Sequence, residues 1–289
     1  MSSQSLTNLD DLIGGCAPHP DWRLELVLPE IGGGKLTQQH LSVIETSPNS
    51  TALRISGLDQ NTFEQLIVRY GSRFSGIYFW KCPRLVDLTP LEALSNLRYA
   101  AFFWNQRTTR LWDFSRTPNL RGLFLKDFTR LHDLSDLRAA TSLEELEIGG
   151  MVWRTAVFHS LEPLESLGQL KTLRFDAKHI RDGRIEPLAQ LRNLKSLEFP
   201  ANQFTTRQVA WLRGHLPDSL STRSLEPVWS FMDRPIGQGD KQKDVLVVGK
   251  GKPWLNSKRH AKRIERYVDE FWTMVEEFRQ NPELLPDES

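Results

Sequence analysis

The chain has 289 residues, 39% of them hydrophobic and 25% charged, with a formal net charge of +1. This composition excludes a disordered or membrane-embedded chain, and it leaves no whole-molecule attraction to nucleic acid or anionic lipid, so an electrostatic partner must be met by a local patch. Cys16 and Cys82 cannot build a disulfide framework, the stretch MSSQSLTNLDDLIGG carries neither a basic nor an apolar signal region, and no run is long enough to span a membrane; a cytoplasmic protein away from the membrane is expected, with secretion by a signal-independent route as the alternative.

Residues 1–48 fit no repeat. They hold a strand-like WRLELVL at 22–28, three glycines at 32–34 and a helix-like stretch at 36–44, and are expected to form an N-terminal cap. From 49 to 220 one pattern recurs. LRYAAF at 97–102 and LRGLFL at 120–125 each carry apolar residues at places one, four and six, and LEELEI opens the next unit at Leu143. Seven strand signatures start at Ser50, Phe74, Leu97, Leu120, Leu143, Leu170 and Leu194, with spacings of 24, 23, 23, 23, 27 and 24. Units of that period are strand-plus-return elements that bury their apolar edge only against their neighbours. The return segments begin at Leu88, Leu111, Leu134, Leu161 and Ile185, each nine residues before the next strand signature, and their Pro or Asp favours a tight or 3₁₀-type turn.

These residues resemble the leucine-rich-repeat family, in particular its short-repeat, internalin-like subclass, whose returns read much like DLTPLEALSNL at 87–97. The resemblance covers roughly residues 50–220. It implies an α/β fold, a curved solenoid with a parallel sheet on its concave face and short 3₁₀ or irregular returns, closed by a cap at each end. It further implies recognition of a protein by the concave face. The family prefers Asn or Cys at place nine; Cys82, Asn105 and Asn202 comply, whereas Leu58, Phe128, Met151 and Lys178 do not, so irregular turns are expected in the middle of the array.

Residues 221–289 are read as a C-terminal cap. The stretch 228–244 is rich in Gly, Pro and charge, DVLVV at 244–248 is a strand candidate followed by a Gly-Lys-Gly-Lys-Pro turn, and an amphipathic helix is expected over 257–280. Its apolar stripe includes Ile264, Val268, Phe271, Val275 and Phe278, with Asn256 or Ser257 as N-cap, and is expected to cover the end of the array.

Strand alternation turns places three, five and seven toward the front face. Its first half is aromatic, with Tyr78, Trp80, Tyr99, Phe103 and Phe124, and Trp104 just past a strand end; its second half is charged, with Glu145, Glu147, Arg174, Asp176 and Glu198. Exposed rings on neighbouring strands would form a contiguous patch, for which a protein partner is the natural explanation. The competing reading has the cap or the loops folding over these rings to make a second core. The long fifth unit places Trp153 on a loop beside the rim, either as a recognition residue or as a filler for the missing Asn.

The seven histidines have no ligand spacing with the cysteines, and no HExxH, GxSxG or P-loop is present, so neither metal nor cofactor is expected. Lys250, Lys252, Lys258, Arg259, Lys262, Arg263 and Arg266 form a basic cluster with Trp254 and His260 among them. It is the best nucleic-acid candidate, set against a plain solvated face, and no recognised nucleic-acid motif accompanies it. The expected function is non-catalytic binding of a protein by a monomer, an inhibitor or immunity-type protein being one form. The alternatives are nucleic-acid or acidic-partner binding through the basic segment, and a repeat-scaffold effector enzyme. A thioester-forming ligase domain is disfavoured because no cysteine follows the array.

Overall fold

A computed structural model describes residues 6–14, 20–152, 156–237 and 242–286. The chain divides into two compact units, Met1–Asp182 and Gly183–Ser289.

The first unit starts with the short helix α1 (Leu9–Ile13), followed by strand β1 (Arg23–Leu26), the single turn α2 (Gln38–Leu41), β2 (Ala52–Ile55) and α3 (Gln60–Tyr70). Next come β3 (Gly76–Trp80), β4 (Tyr99–Phe103), β5 (Gly122–Lys126), β6 (Glu145–Gly149), β7 (Val157–Phe158), β8 (Thr172–Asp176) and β9 (His179–Ile180). β1, β2, β3, β4, β5, β6 and β8 pair successively and in parallel, so that Ala52, Gly76, Tyr99, Gly122, Glu145 and Thr172 stand side by side at place three. β7 and β9 form a separate parallel pair.

Each strand begins two residues after its sequence signature because places one and two complete the turn out of the return. The place-four residues Leu53, Ile77, Ala100, Leu123, Leu146 and Leu173 are at most 1% exposed and form the repeat core with the place-six residues Ile55, Phe79, Phe102, Leu125, Ile148 and Phe175. The returns are 3₁₀ turns at Thr89–Ala93, Phe114–Arg116, Ser135–Ala139 and Glu162–Ser166, as their Pro and Asp residues dictate. The return between β2 and β3 is instead the three-turn helix α3. Asp59 caps it, its carboxylate accepting the Thr62 amide at 3.0 Å, and Phe63, Leu66 and Ile67 recur on its buried face.

One part of the expected cap is a member of the sheet. β1 pairs in parallel with β2, Arg23 opposite Ala52 and Leu26 opposite Ile55. Its repeat character is hidden in the sequence because Asp21 puts a charge at place one, where six of the seven recognised units carry an apolar residue and the other Ser50.

The second unit contains a 3₁₀ turn at Glu186–Gln190, β10 (Ser196–Glu198), α4 (Thr206–His215), β11 (Val228–Ser230), β12 (Val245–Val247), β13 (Trp254–Leu255) and α5 (Ala261–Gln280). β11, β12 and β13 form an antiparallel sheet, β12 turning into β13 through Gly249 and Gly251, both at positive φ. α5 starts four residues later than the sequence suggests. The Asn256 side chain accepts the Lys258 and Arg259 amides and caps a turn at 257–260 that leads into the helix. Phe271, Val275 and Phe278 are fully buried, and α5 packs on α4, where Gly214 lets the Phe278 backbone approach so closely that an added Cβ would lie 3.2 Å from the Phe278 Cβ. Among the described residues no helix is long and apolar enough to cross a membrane.

Candidate functional site

The front face of the first unit falls into a covered part, a rim and a charged part. Covering begins at place three, where Ala52, Gly76 and Gly122 leave a trough on either side of the Tyr99 ring. Residues 6–13 lie in that trough. A Cβ on Gly76 would sit 2.3 Å from Leu6 Cδ2, and one on Gly122 would sit 2.7 Å from Leu9 Cγ, so the absence of both side chains admits the segment. Leu6, Leu9 and Leu12 are 5%, 5% and 0% exposed and pack with Tyr78, Tyr99, Ala101, Phe103 and Phe124 in one hydrophobic cluster.

Polar groups fix both ends of the segment. The Asn8 side-chain oxygen accepts the Asp11 amide at 2.8 Å and starts α1. At the other end Arg23, at place three of β1, donates from Nη1 to the carbonyls of Asp11, Leu12 and Gly14 at 3.2, 3.2 and 2.7 Å, a cation closing the helix C-terminus. Between them Glu145 accepts the Leu9 amide at 3.2 Å, and the Tyr99 hydroxyl donates to the Thr7 carbonyl. Burial pushes the Glu145 carboxyl above the usual carboxylate range, against the opposing pull of the Leu9 N–H. The Tyr78 and Tyr99 phenols are likewise raised, mainly by burial.

Tyr78, Tyr99, Phe103 and Phe124 are therefore not an open patch: they are 2%, 2%, 5% and 3% exposed. The rings belong to a second core, closed by the segment that precedes the first strand. The sequence carried the signal in two places. Leu6, Leu9, Leu12 and Ile13 recur at helical spacing, and the small residues at place three mark where another backbone comes close. Docking is nevertheless marginal. Burying three leucines contributes about 1.5–3 kcal/mol each and the hydrogen bonds about 1 kcal/mol each, against an ordering cost of about 1–2 kcal/mol for each residue of the segment.

The rim lies at the C-terminal ends of the strands. Trp80 and Trp104 are half-buried. The Trp80 ring stacks on Phe103 with centroids 4.5 Å apart, the Arg54 guanidinium lies 4.5 Å over Trp80, and the Lys81 ammonium lies 5.3 Å from Trp80 and 5.8 Å from Trp104. Place eight is left-handed in four consecutive units, with φ of 72° at Gly57, 52° at Lys81, 64° at Trp104 and 57° at Asp127. The turn sends each of the last three amides to the next strand: Lys81 to Phe103 O, Trp104 to Lys126 O and Asp127 to Gly149 O, all at 2.9 Å. A tryptophan in this conformation carries a strain of roughly 1–2 kcal/mol, of the kind that clusters at functional sites. The Asp127 carboxylate in turn accepts the amides of Met151 and Val152 at 2.8 and 3.1 Å, and these two side chains stand 63% and 58% exposed. Trp153, the next residue, lies outside the described residues.

The charged part is a network. Lys126 is only 6% exposed, with its ammonium 3.0 Å from Glu147, and Arg174 reaches Glu147 and Asp10 at 3.7 Å each. Asp176 is half-buried at the end of β8, and its carbonyl accepts the Gly150 amide at 2.9 Å. Glu198 is exposed on β10 of the second unit. The structure thus brings Trp80, Trp104, Glu147, Arg174 and Asp176 to the front face, with Arg54 and Lys126, which stand at places five and seven of their units, and Lys81, just past β3, as further members.

Elsewhere in the first unit Cys82 is buried, its Sγ 3.8 Å from the Ile55 carbonyl, and burial pushes its thiol up to about 12. His132 and His159 lie with ring centroids 6.1 Å apart, and the His132 Nδ1 bonds to the Val157 carbonyl at 2.7 Å. Among the described residues no three His, Cys, Asp or Glu side chains are grouped to hold a metal ion. In the second unit Lys258, Arg259, Lys262, Arg263 and Arg266 are exposed. Lys252, Arg263 and Arg266 lie 5.0, 5.7 and 6.0 Å from the centre of the Tyr267 ring, and the Arg263 hydrogen bond to the phenol oxygen is the main reason that the Tyr267 phenol is lowered.

No family model and no curated protein matches the sequence. Solved structures similar to it include an internalin from Listeria monocytogenes, at 22% identity and a TM-score of 0.41, covering 63% of this chain and 55% of that one. A leucine-rich-repeat protein from Leptospira interrogans is 18% identical with a TM-score of 0.45, covering 64% of this chain and 45% of that one. A chain of the Toll–Spatzle complex from Drosophila is 15% identical with a TM-score of 0.47, covering 63% of this chain and 23% of that one. The chain spans about half the length of the first two. By its own geometry, successive parallel strands in register joined by 3₁₀ returns, the first unit folds as a leucine-rich-repeat array.

Proposed function

We propose that the protein is a non-catalytic recognition module that binds a protein partner through the uncovered part of its front face, from the Trp80–Trp104 rim to the charged network at Glu147, Arg174 and Asp176. The observation that carries this reading is Trp104: a half-buried indole on a strained left-handed residue, flanked by Trp80 and Lys81 on a rigid sheet. Tryptophan and arginine are among the residue types most enriched in interface hot spots. The face mixes charges, Glu147 and Asp176 beside Arg54, Lys81, Lys126 and Arg174, which suits a partner surface of mixed charge, and an inhibitor or immunity-type protein blocking an enzyme or toxin is one form of such a module. Trp153 belongs to the same proposal by its place after Val152.

The test is capture of the partner by the wild-type chain, followed by affinity measurements on Trp104→Ala and Arg174→Glu. Each should weaken binding by about 1–4 kcal/mol with little change in thermal midpoint. Wild-type affinity in both variants contradicts the assignment. A second reading, binding of nucleic acid or an acidic partner by the second unit, is favoured by the three cations that share the Tyr267 ring. It requires salt-dependent retention on heparin or DNA, and no retention at low salt removes it.

A further inference from the structure

The covered part of the front face is built to receive a helix. Its floor is the small-residue row Ala52, Gly76 and Gly122, its walls are Tyr78, Tyr99 and Phe124, and it offers a helix two polar ends, the Arg23 guanidinium for the last carbonyls and the Glu145 carboxylate for a backbone amide. The occupant is one short turn of helix that adds no strand to the sheet and is held by three leucines. The Arg174 guanidinium, a residue of the proposed partner surface, also lies 3.7 Å from Asp10 of that turn.

We propose that this trough is a second recognition site, for a short helical segment of a partner that carries leucines at i, i+3 and i+6 and a carboxylate at the Asp10 position, and that residues 6–13 are its tethered resident. A partner segment of the same chemistry takes the place of the resident and presents its own carboxylate to Arg174 in place of Asp10. The proposal rests on the front face being the binding face.

The experiment uses the full-length chain and a labelled peptide LTNLDDLIG, the resident's own sequence. In Leu9→Asp the resident carries a charge into an apolar trough and leaves it, so the peptide should bind at least tenfold more tightly to Leu9→Asp than to wild type. Adding Gly76→Val, whose side chain would occupy the place of Leu6 while standing only at ordinary contact distance from Ala52, should abolish that binding. Equal binding to wild type and Leu9→Asp, or binding to neither, overturns the proposal. A Leu9→Asp chain without a cooperative melt also overturns it, because a resident that the fold cannot do without is not displaceable. Failure of the front-face reading is seen separately, in unchanged partner affinity of Trp104→Ala, since the peptide assay contains no partner.

Discussion

Cys82 illustrates how a single position is decided by its place in the repeat. At place nine its thiol lies among backbone carbonyls, 3.8 Å from that of Ile55 and 3.9 Å from that of Trp80. Burial raises the thiol from 9.0 to about 12, so it is neutral and a poor nucleophile at physiological pH. Because the folded value lies above the unfolded one, its contribution to stability is fully present below about 9 and is lost as the pH rises through about 12. Native protein treated with iodoacetamide at mildly alkaline pH should leave Cys82 unmodified, and urea-unfolded protein should be alkylated there. Peptide mapping by mass spectrometry reads both, and fast modification of the native chain would mean that Cys82 is a reactive thiol. The resemblance to the repeat family, which prefers Asn or Cys at place nine, made this residue legible as structural.

At the scale of elements, Gly149 is the position with least freedom. It sits at place seven of β6 with φ of 120°, and a Cβ there would lie 1.9 Å from the Asp176 carbonyl oxygen. Gly149→Ala should therefore destabilise the fold by about 2 kcal/mol or more, read as a lower urea midpoint, with the Met151 and Val152 loop losing its anchor on Asp127. An unchanged midpoint would mean that the strand end adapts freely. In the second unit the α4–α5 contact is the corresponding support. Phe278→Ala, which empties a fully buried ring site, should cost about 3–5 kcal/mol in chemical denaturation; a loss below about 1 kcal/mol would show that α5 is loosely attached.

The elements also show what could be read in advance. Seven strands were legible because places four and six face the core and are apolar in every unit, as is place one in all but the unit that opens on Ser50. β1 was not, since Asp21 breaks place one, and α3 was not, since its Asp59 cap and helical apolar spacing come after a strand where a 3₁₀ return was the rule. The candidate site was half legible. Register put Trp80, Glu147, Arg174 and Asp176 at front-face places and Trp104 just past a strand end, but exposure depends on what else folds over a face, a long-range contact that no local pattern encodes. The nearest local trace, Gly76 and Gly122 between aromatic neighbours, has meaning only once Leu6, Leu9 and Leu12 are known to be its occupants.

Over the molecule as a whole the net charge of +1 reflects near balance in each unit, so charge is patterned locally. The first unit carries the rim and its carboxylates, and the second carries the exposed basic turn of α5. Within the first unit one sheet has two apolar faces of different kinds, a repeat core that every unit extends and a second core that one segment closes. The balance between core and open surface on the front face is the central claim, and Phe124 tests it. Its ring is 3% exposed, 6.1 Å from that of Tyr78 and in the cluster with Leu9 and Leu12, although it points away from the repeat core. The measurement is the unfolding free energy of Phe124→Ala from urea denaturation, beside Leu123→Ala in the repeat core. A second core predicts a loss of about 3–5 kcal/mol at Phe124, comparable with the loss at Leu123; a Phe124→Ala chain as stable as wild type would show that the front face is open there and contradict the account.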